Sequence, residues 1–169
     1  MMVPTNDDRQ PLLRKRIRLP VGVYSERETR ALVTIATHDR TRTFGDAGFS
    51  LECVEYLRSQ ASEQSIAVLA YCFMPDHVHF VLRVDGNTGI VDFIAKFKSV
   101  TTRLWWKHGN RGRLWQRTFH DHLLRDAEDE GQYLQYVLAN PVRAGLVGEW
   151  KLYPFAGSFA YDLSDGSLQ

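Results

Sequence analysis

The stretch from Ala67 to Val84, AVLAYCFMPDHVHFVLRV, constrains the fold more than any other part of the chain. Its flanks are rich in the branched and aromatic residues that strands favour. Met74-Pro75-Asp76 reads as a turn, with proline fixing φ and aspartate able to bond its own backbone. The segment therefore predicts two paired strands. Side chains alternate along a strand, so His77 and His79 share one face, about 7 Å apart, while Val78 and Phe80 point to the other. Two imidazoles side by side can clamp a metal ion. They also admit a plain reading as partly exposed strand histidines, and a motif of three residues does not choose between the two.

Composition narrows the class. A chain of 169 residues, 44% hydrophobic and 24% charged, is expected to form one soluble globular domain with a sizeable core. Cys53 and Cys72 are too few for a disulfide framework, which fits a reduced, cytoplasmic protein with buried thiols. The opening MMVPTNDDRQPLLRKRIRLP has no apolar signal core. No run is long enough to span a bilayer, so no membrane partner is expected.

The formal net charge is only +1, but the cations are clustered. Arg14, Lys15, Arg16 and Arg18 form one group. Lys96, Lys98, Arg103, Lys107, Arg111, Arg113 and Arg117 form another, and no acid falls between Phe93 and His120. Trp105, Trp106 and Trp115 are interleaved with this second group. Cations alternating with flat rings suit a nucleic acid backbone with unstacked bases; the alternative is a solvated basic helix whose tryptophans pack in the core.

In chain order, residues 1–28 read as a basic, flexible or loosely docked arm, 29–150 as the folded domain and 151–169 as a tail. Arg30 to Thr37 reads as a first strand. Asp46 to Ala61 reads as a helix from the spacing of Phe49, Val54 and Leu57, ended by the polar run SQASEQS. After the hairpin and a turn at Gly86 to Gly89, apolar residues recur every three or four positions from Ile90 to Leu104, predicting a long amphipathic helix. A basic glycine-containing loop from Lys107 to Gly112 precedes a fourth strand, Leu114 to Arg125. A last helix is expected to begin on Asp126 as N-cap, with Glu128, Asp129 and Glu130 at the positive end of its dipole, and to stop at Asn140-Pro141. The order β-α-β-β-α-β-α is that of a ferredoxin-like split β-α-β: α+β, an antiparallel sheet with helices on one face, an additional C-terminal helix, and the other face open for a ligand.

On that last helix Ala127, Leu134, Val137 and Leu138 fall on a core face, whereas Tyr133, Tyr136 and Asn140 crowd an adjacent arc. Asn140 can offer a metal its carbonyl oxygen, and Tyr136, one turn away, a phenol to whatever the metal holds. As a bland alternative, Asn140 is a helix cap and Tyr136 a packing residue at the core's edge.

The runs MPDHVH (Met74 to His79), LWQRTFHDHLLR (Leu114 to Arg125) and YVLANPVRAGLV (Tyr136 to Val147) together resemble the REP-associated tyrosine transposases of the HUH single-tyrosine superfamily. The resemblance covers roughly Leu32 to Val147. It implies that His77, His79 and Asn140 are metal ligands, Asn140 standing where the superfamily carries glutamine, and that Tyr136 is the catalytic nucleophile. An aromatic-serine motif expected of the tail is met only in part, by Tyr153-Pro154-Phe155.

The implied activity is metal-dependent cleavage and rejoining of single-stranded DNA through a 5′-phosphotyrosine, beside hairpins of repetitive palindromes, with Mg or Mn as cofactor. The partner would be single-stranded or hairpin DNA and the location the nucleoid, with the protein acting as a monomer or a homodimer. Deprotonation of Tyr136 would draw on the metal's field, a nearby Lys or Arg, or a base such as His120 or His122, although the better reading of those two histidines is as ordinary polar strand residues. Two other readings remain: a domesticated DNA-binding protein without chemistry, and a metal-dependent nuclease that uses water.

Overall fold

The computed structural model describes residues 20–125 and 127–163. The elements are β1 (Arg30–Ala36), α1 (Ala47–Gln64), β2 (Ile66–Met74), β3 (His77–Val84), α2 (Ile90–Lys107), β4 (His120–Leu124), α3 (Ala127–Arg143) and β5 (Ala156–Gly157). One sheet has the order β4-β1-β3-β2-β5 with every pairing antiparallel. The first four strands and their helices follow the split β-α-β arrangement read from the sequence, so the class is α+β as expected.

The hairpin is as tight as its turn residues imply: Met74 pairs directly with His77, leaving Pro75 and Asp76 to make the reversal. Alternation along β1 and β3 then builds two different faces. Ala31, Val33, Ile35, Val78, Phe80 and Leu82 point one way, into a core closed by Phe49, Cys53 and Leu57 of α1 and Ile90, Phe93 and Phe97 of α2. Burying each large side chain removes enough apolar surface for about 1.5–3 kcal/mol. The opposite face carries Leu69, Ala70, Cys72 and Val81, on which α3 lays Leu134 and Val137. That face is therefore not left open: α3 covers part of it, beside the histidines.

Three element boundaries differ from the sequence reading. Helix α1 runs through SQASEQ to Gln64 and stops where Ser65 turns left-handed (φ 52°, ψ 49°) and donates to the Ala61 and Ser62 carbonyls; polar residues on an exposed helical face do not end a helix, but a left-handed residue does. The fourth strand shrinks to His120–Leu124. Leu114 and Trp115, 2% and 3% exposed, turn into the core instead, and Trp115 donates from Nε1 to Thr101 Oγ1 at 2.9 Å. Only one bridge, Thr37 to Trp115, ties that segment to the sheet. Helix α3 continues past Asn140 to Arg143 with Pro141 inside it. Of the arm, only residues 20–28 are described, and there Tyr24, 2% exposed, donates from its hydroxyl to Asp121 Oδ2.

The tail also has structure. Tyr153 donates to the Phe73 carbonyl at 2.7 Å, and β5 pairs with β2 through Tyr71 and Cys72, shielding an otherwise open sheet edge. The cations Arg14, Lys15, Arg16 and Arg18, the expected cap Asp126 and the side chains of Glu128 and Asp129 lie outside the described residues. Asp46 caps α1 as its position suggests, accepting from Phe49 N at 3.0 Å. No described helix is long and apolar enough to cross a membrane.

Candidate functional site

Strand alternation puts His77 and His79 on the α3 face of β3, and their outer partners fix how the rings turn. Asp76 Oδ1 lies 2.6 Å from His77 Nδ1. Thr34 Oγ1, from the neighbouring strand, lies 2.8 Å from His79 Nδ1. With both Nδ1 atoms engaged, both Nε2 atoms point at the same place, 3.1 Å from each other. Such outer contacts select the tautomer and hold the ring, as is usual where histidines bind metal.

The two rings differ in setting. His79 is 6% exposed; burial, then the charges of His77, Arg143 and Arg40, push its pKa from the ordinary 6.5 down to about 3, against the opposing pull of Asp76. It is therefore neutral at physiological pH, the form a metal ligand must take. Burial alone would raise the Asp76 carboxyl, but the hydrogen bond and charge of His77, with Arg40 beyond, hold it below the usual value.

The pair fits a small divalent ion. An ion about 2.1 Å from two nitrogens at this separation would see them roughly 95° apart, close to the cis angle of an octahedral shell. Among the described residues no group of three or more His, Cys, Asp or Glu is placed to hold a metal, so an ion held by this pair would draw on other oxygen donors such as an amide or water.

Helix α3 brings Tyr136 to this point. Its ring packs edge-on against His79, centroids 5.8 Å apart, and the Arg143 guanidinium sits over it at 5.1 Å from the centroid. Asn140, one turn on, donates from Nδ2 to the Tyr136 carbonyl at 2.8 Å and the Val137 carbonyl at 3.3 Å. With its amine turned to the helix backbone, its carbonyl oxygen is the end available for a ligand. His122 packs against Tyr133 instead, at 5.3 Å. His120 lies on the same face as His79 but two strands away, across Thr34, or about 10 Å.

The basic segment divides. Lys96, Lys98 and Arg103 ride on α2, the layer across the sheet from the histidines. Lys96 pairs with Glu63 at 3.5 Å, and Lys98 donates to the carbonyls of Gln116 and Arg117 at 2.5 and 3.2 Å, tying down the loop before β4. Lys107 and Arg117 are exposed. Arg111, Arg113 and the half-buried Trp105 line an open cleft of about 540 Å³ with His38, Thr41 and Thr43. Of the predicted residues, the structure thus unites His77, His79 and Tyr136, sets Asn140 one turn beyond, and divides the cations between α2 and the loop after it.

Thr34, Asp76, Arg143 and Arg40 escaped the sequence reading. Asp76 was visible only as a turn residue, Arg143 only as part of YVLANPVRAGLV, and Thr34 has no local signal, because its role depends on strand register. Arg40 reaches Asp76 at 3.6 Å from a backbone in which Asp39 and Arg40 both have φ of 53°, a left-handed geometry that costs about 1–2 kcal/mol for each non-glycine residue. Hydrogen bonds from Thr37 Oγ1 to the Thr41 and Asp76 carbonyls hold this loop in place.

Comparison with known proteins bears on the same residues. The family described as IS200-like transposase matches residues 28–138, which includes His77, His79 and Tyr136 and ends just before Asn140. A protein of Haemophilus influenzae assigned as a REP-associated tyrosine transposase is 31% identical over 143 residues, covering 77% of this chain and 79% of that protein. The REP-associated tyrosine transposase of Escherichia coli is 24% identical over 104 residues, covering 62% of this chain and 61% of the other. The solved structure of a REP-associated tyrosine transposase bound to a REP hairpin has the same fold, with a TM-score of 0.67 at 16% identity, covering 89% of this chain and 95% of that one.

Proposed function

Because the chain belongs to the IS200-like transposase family, we propose that it cuts and rejoins single-stranded DNA through Tyr136, next to a hairpin such as the one its structural relative binds. The observation that carries this reading is the convergence of the two Nε2 atoms at 3.1 Å beside the Tyr136 ring. His77 and His79, with the carbonyl oxygen of Asn140, would hold Mg or Mn. Bound there, the ion would draw charge from a phosphate oxygen and make phosphorus more electrophilic.

The protein's own residues do the rest. Asp76 and Thr34 keep the imidazoles aimed, and α3 holds the Tyr136 ring against His79 and Arg143, so the phenol oxygen is presented to the strand. Its attack forms an Oη–P bond and breaks the P–O3′ bond; the phenolic proton passes to solvent or a base, and the departing 3′-oxygen takes one up. The 5′-phosphotyrosine keeps the energy of the broken bond, and the free 3′-hydroxyl reverses the step without a nucleotide cofactor. Arg143 places a positive charge 5.1 Å from the centroid of the Tyr136 ring, on the helix to which the phosphate must come. Action on the nucleoid, as a monomer or a homodimer, fits such a substrate.

The test is to incubate the protein with Mn and end-labelled hairpin DNA carrying single-stranded flanks, then run a denaturing gel. A protein-linked band is expected. Free cleaved strands without the band would mean hydrolysis by water, and bound but uncut DNA would mean a binding protein.

A further inference from the structure

We infer that Glu130 is a positioning residue for Tyr136: by joining α3 to β1 and to the tail it sets how the helix lies on the sheet, and with it where the phenol stands beside His79. This rests on the function proposed above and adds to it a residue outside the reacting centre.

The apolar contact of α3 does not prescribe that orientation. Leu134 and Val137 lie on Leu69, Ala70, Cys72 and Val81, and burial of this kind is non-directional, so it holds the helix down without fixing its rotation. Rotation matters to the nucleophile. A tyrosine oxygen can stand about 8 Å from its helix axis, so a turn of about 10° carries it roughly 1.4 Å. A misplacement of about 1 Å can cost on the order of a hundredfold in rate.

Glu130 supplies the directional contact. It precedes Tyr136 by six residues on α3, about 9 Å along the axis. One carboxylate oxygen accepts from Arg30 Nε at 2.7 Å and the other from the Tyr161 hydroxyl. The pair is sheltered, with the side chains of Glu130 and Arg30 12% and 26% exposed. Charge-assisted bonds to both oxygens are of the stronger kind, whereas a fully exposed pair would hold little.

The groups that hold Glu130 are themselves fixed. Arg30 also donates to the Glu28 carbonyl at 3.2 Å and to its carboxylate at 3.3 Å. It stands on β1 four residues before Thr34 and on the same face, and Thr34 meets His79 at 2.8 Å. One strand thus sets both partners of the reaction: Thr34 turns the His79 ring, and Arg30, through Glu130, sets the helix that carries Tyr136. The tail fixes Tyr161 in turn. Ser158 Oγ accepts from the Ala160 and Tyr161 N–H groups at 3.0 and 2.9 Å, Phe159 N donates to the Val68 carbonyl at 3.1 Å, and the Phe159 ring lies 4.8 Å from that of Tyr71. Glu130 is therefore braced against β1 and, through the tail, against β2.

The experiment uses the full-length protein with saturating Mn and hairpin DNA. It follows the rate of covalent band formation and, separately, the distance between spin labels attached after Gln132→Cys on α3 and Glu55→Cys on α1. Both positions are exposed, whereas Cys53 and Cys72 are buried and escape labelling. Glu130→Ala should slow the band about tenfold or more, leave hairpin affinity within about twofold and broaden the label distances. Arg30→Ala should do the same and Arg30→Lys much less. The Arg30→Ala/Glu130→Ala variant should be no slower than either single change, since the two residues act as a unit. Tyr161→Phe should slow the band about threefold by removing one of the two bonds. Should Glu130→Ala not fold, Glu130→Gln, which keeps the shape and loses the charge, gives the same measurements. An unchanged rate would overturn the proposal: with a lower melting temperature it would make Glu130 a stabilising residue only, and with broadened distances it would show that α3 moves without consequence for Tyr136. Distances as narrow in Glu130→Ala as in the parent would overturn it too. Failure of the parent to form the band on any DNA would count against the proposed function instead, and the label distances alone would then decide whether Glu130 holds α3.

Discussion

The side-chain amide of Asn140 takes up the carbonyl that Pro141 leaves without a partner. In an uninterrupted helix the Val137 carbonyl would accept from the N–H of residue 141, which proline lacks. Asn140 Nδ2 lies 3.3 Å from that oxygen and 2.8 Å from the Tyr136 carbonyl. The helix therefore passes through Pro141, and the residue that repairs it turns its own oxygen outward. One side chain thus serves both the backbone and the proposed metal shell.

The two roles can be separated. Asn140→Ala should lower stability by about 1–2 kcal/mol, the cost of leaving a carbonyl without its partner. In a Pro141→Ala background, where the N–H returns, the same change should cost less. Mn affinity, measured by calorimetric titration, should fall on loss of Asn140 in both backgrounds. Equal Mn affinity with and without Asn140 would leave it a helix-repair residue only.

Tyr136→Phe should abolish the covalent band and spare DNA binding, since it removes one oxygen and leaves the ring's contacts with His79 and Arg143. Tyr133→Phe should retain the band, because that ring packs against His122. The reverse pattern on a denaturing gel would move the nucleophile to Tyr133.

The metal-free protein should lose stability as pH falls from 6.5 towards 3. His79 in the fold titrates at about 3 against an ordinary 6.5; between these values the unfolded chain binds a proton that the native state refuses, so acid favours unfolding. Urea midpoints at pH 7, 5.5 and 4.5 should fall more steeply for the parent than for His79→Gln. Parallel slopes would mean that another group sets the acid sensitivity.

The sequence disclosed what depends on short range and on periodicity. The Pro75-Asp76 turn, the shared face of His77 and His79 and the helical spacing from Ile90 to Leu104 all follow from local geometry, and the element order follows from them. What it hid depends on partners distant in the chain. LWQRTFHDHLLR alternates well enough to read as one strand, yet Trp115 is worth more to the core beside Thr101 than to the ladder. Thr34 matters only because register sets it against His79. The basic segment reads as one stretch because its cations are close in sequence, whereas some ride on α2 and others stand on the loop after it.

That division gives the last prediction. If the loop end of the segment faces DNA, Arg111→Ala/Arg113→Ala should flatten the slope of log affinity against log salt by roughly 1.4, about 0.7 for each single-strand phosphate that is no longer neutralised. Lys96→Ala/Arg103→Ala, on the α2 layer across the sheet from His77, should leave the slope as it is. The tryptophans should separate likewise. Trp115 is 3% exposed and hydrogen-bonded to Thr101, so Trp115→Ala should cost about 3–5 kcal/mol of stability. Trp106 is 44% exposed and holds the loop by donating to the Gly112 carbonyl at 2.8 Å; Trp106→Phe should cost about 0.5–1.5 kcal/mol by removing that bond. Trp105, at the edge of the core and facing the cleft, should lose both stability and DNA affinity on change to alanine. A salt slope altered by the Lys96 and Arg103 changes but not by those at Arg111 and Arg113 would place the DNA along α2 and away from the end of the sheet that holds His77.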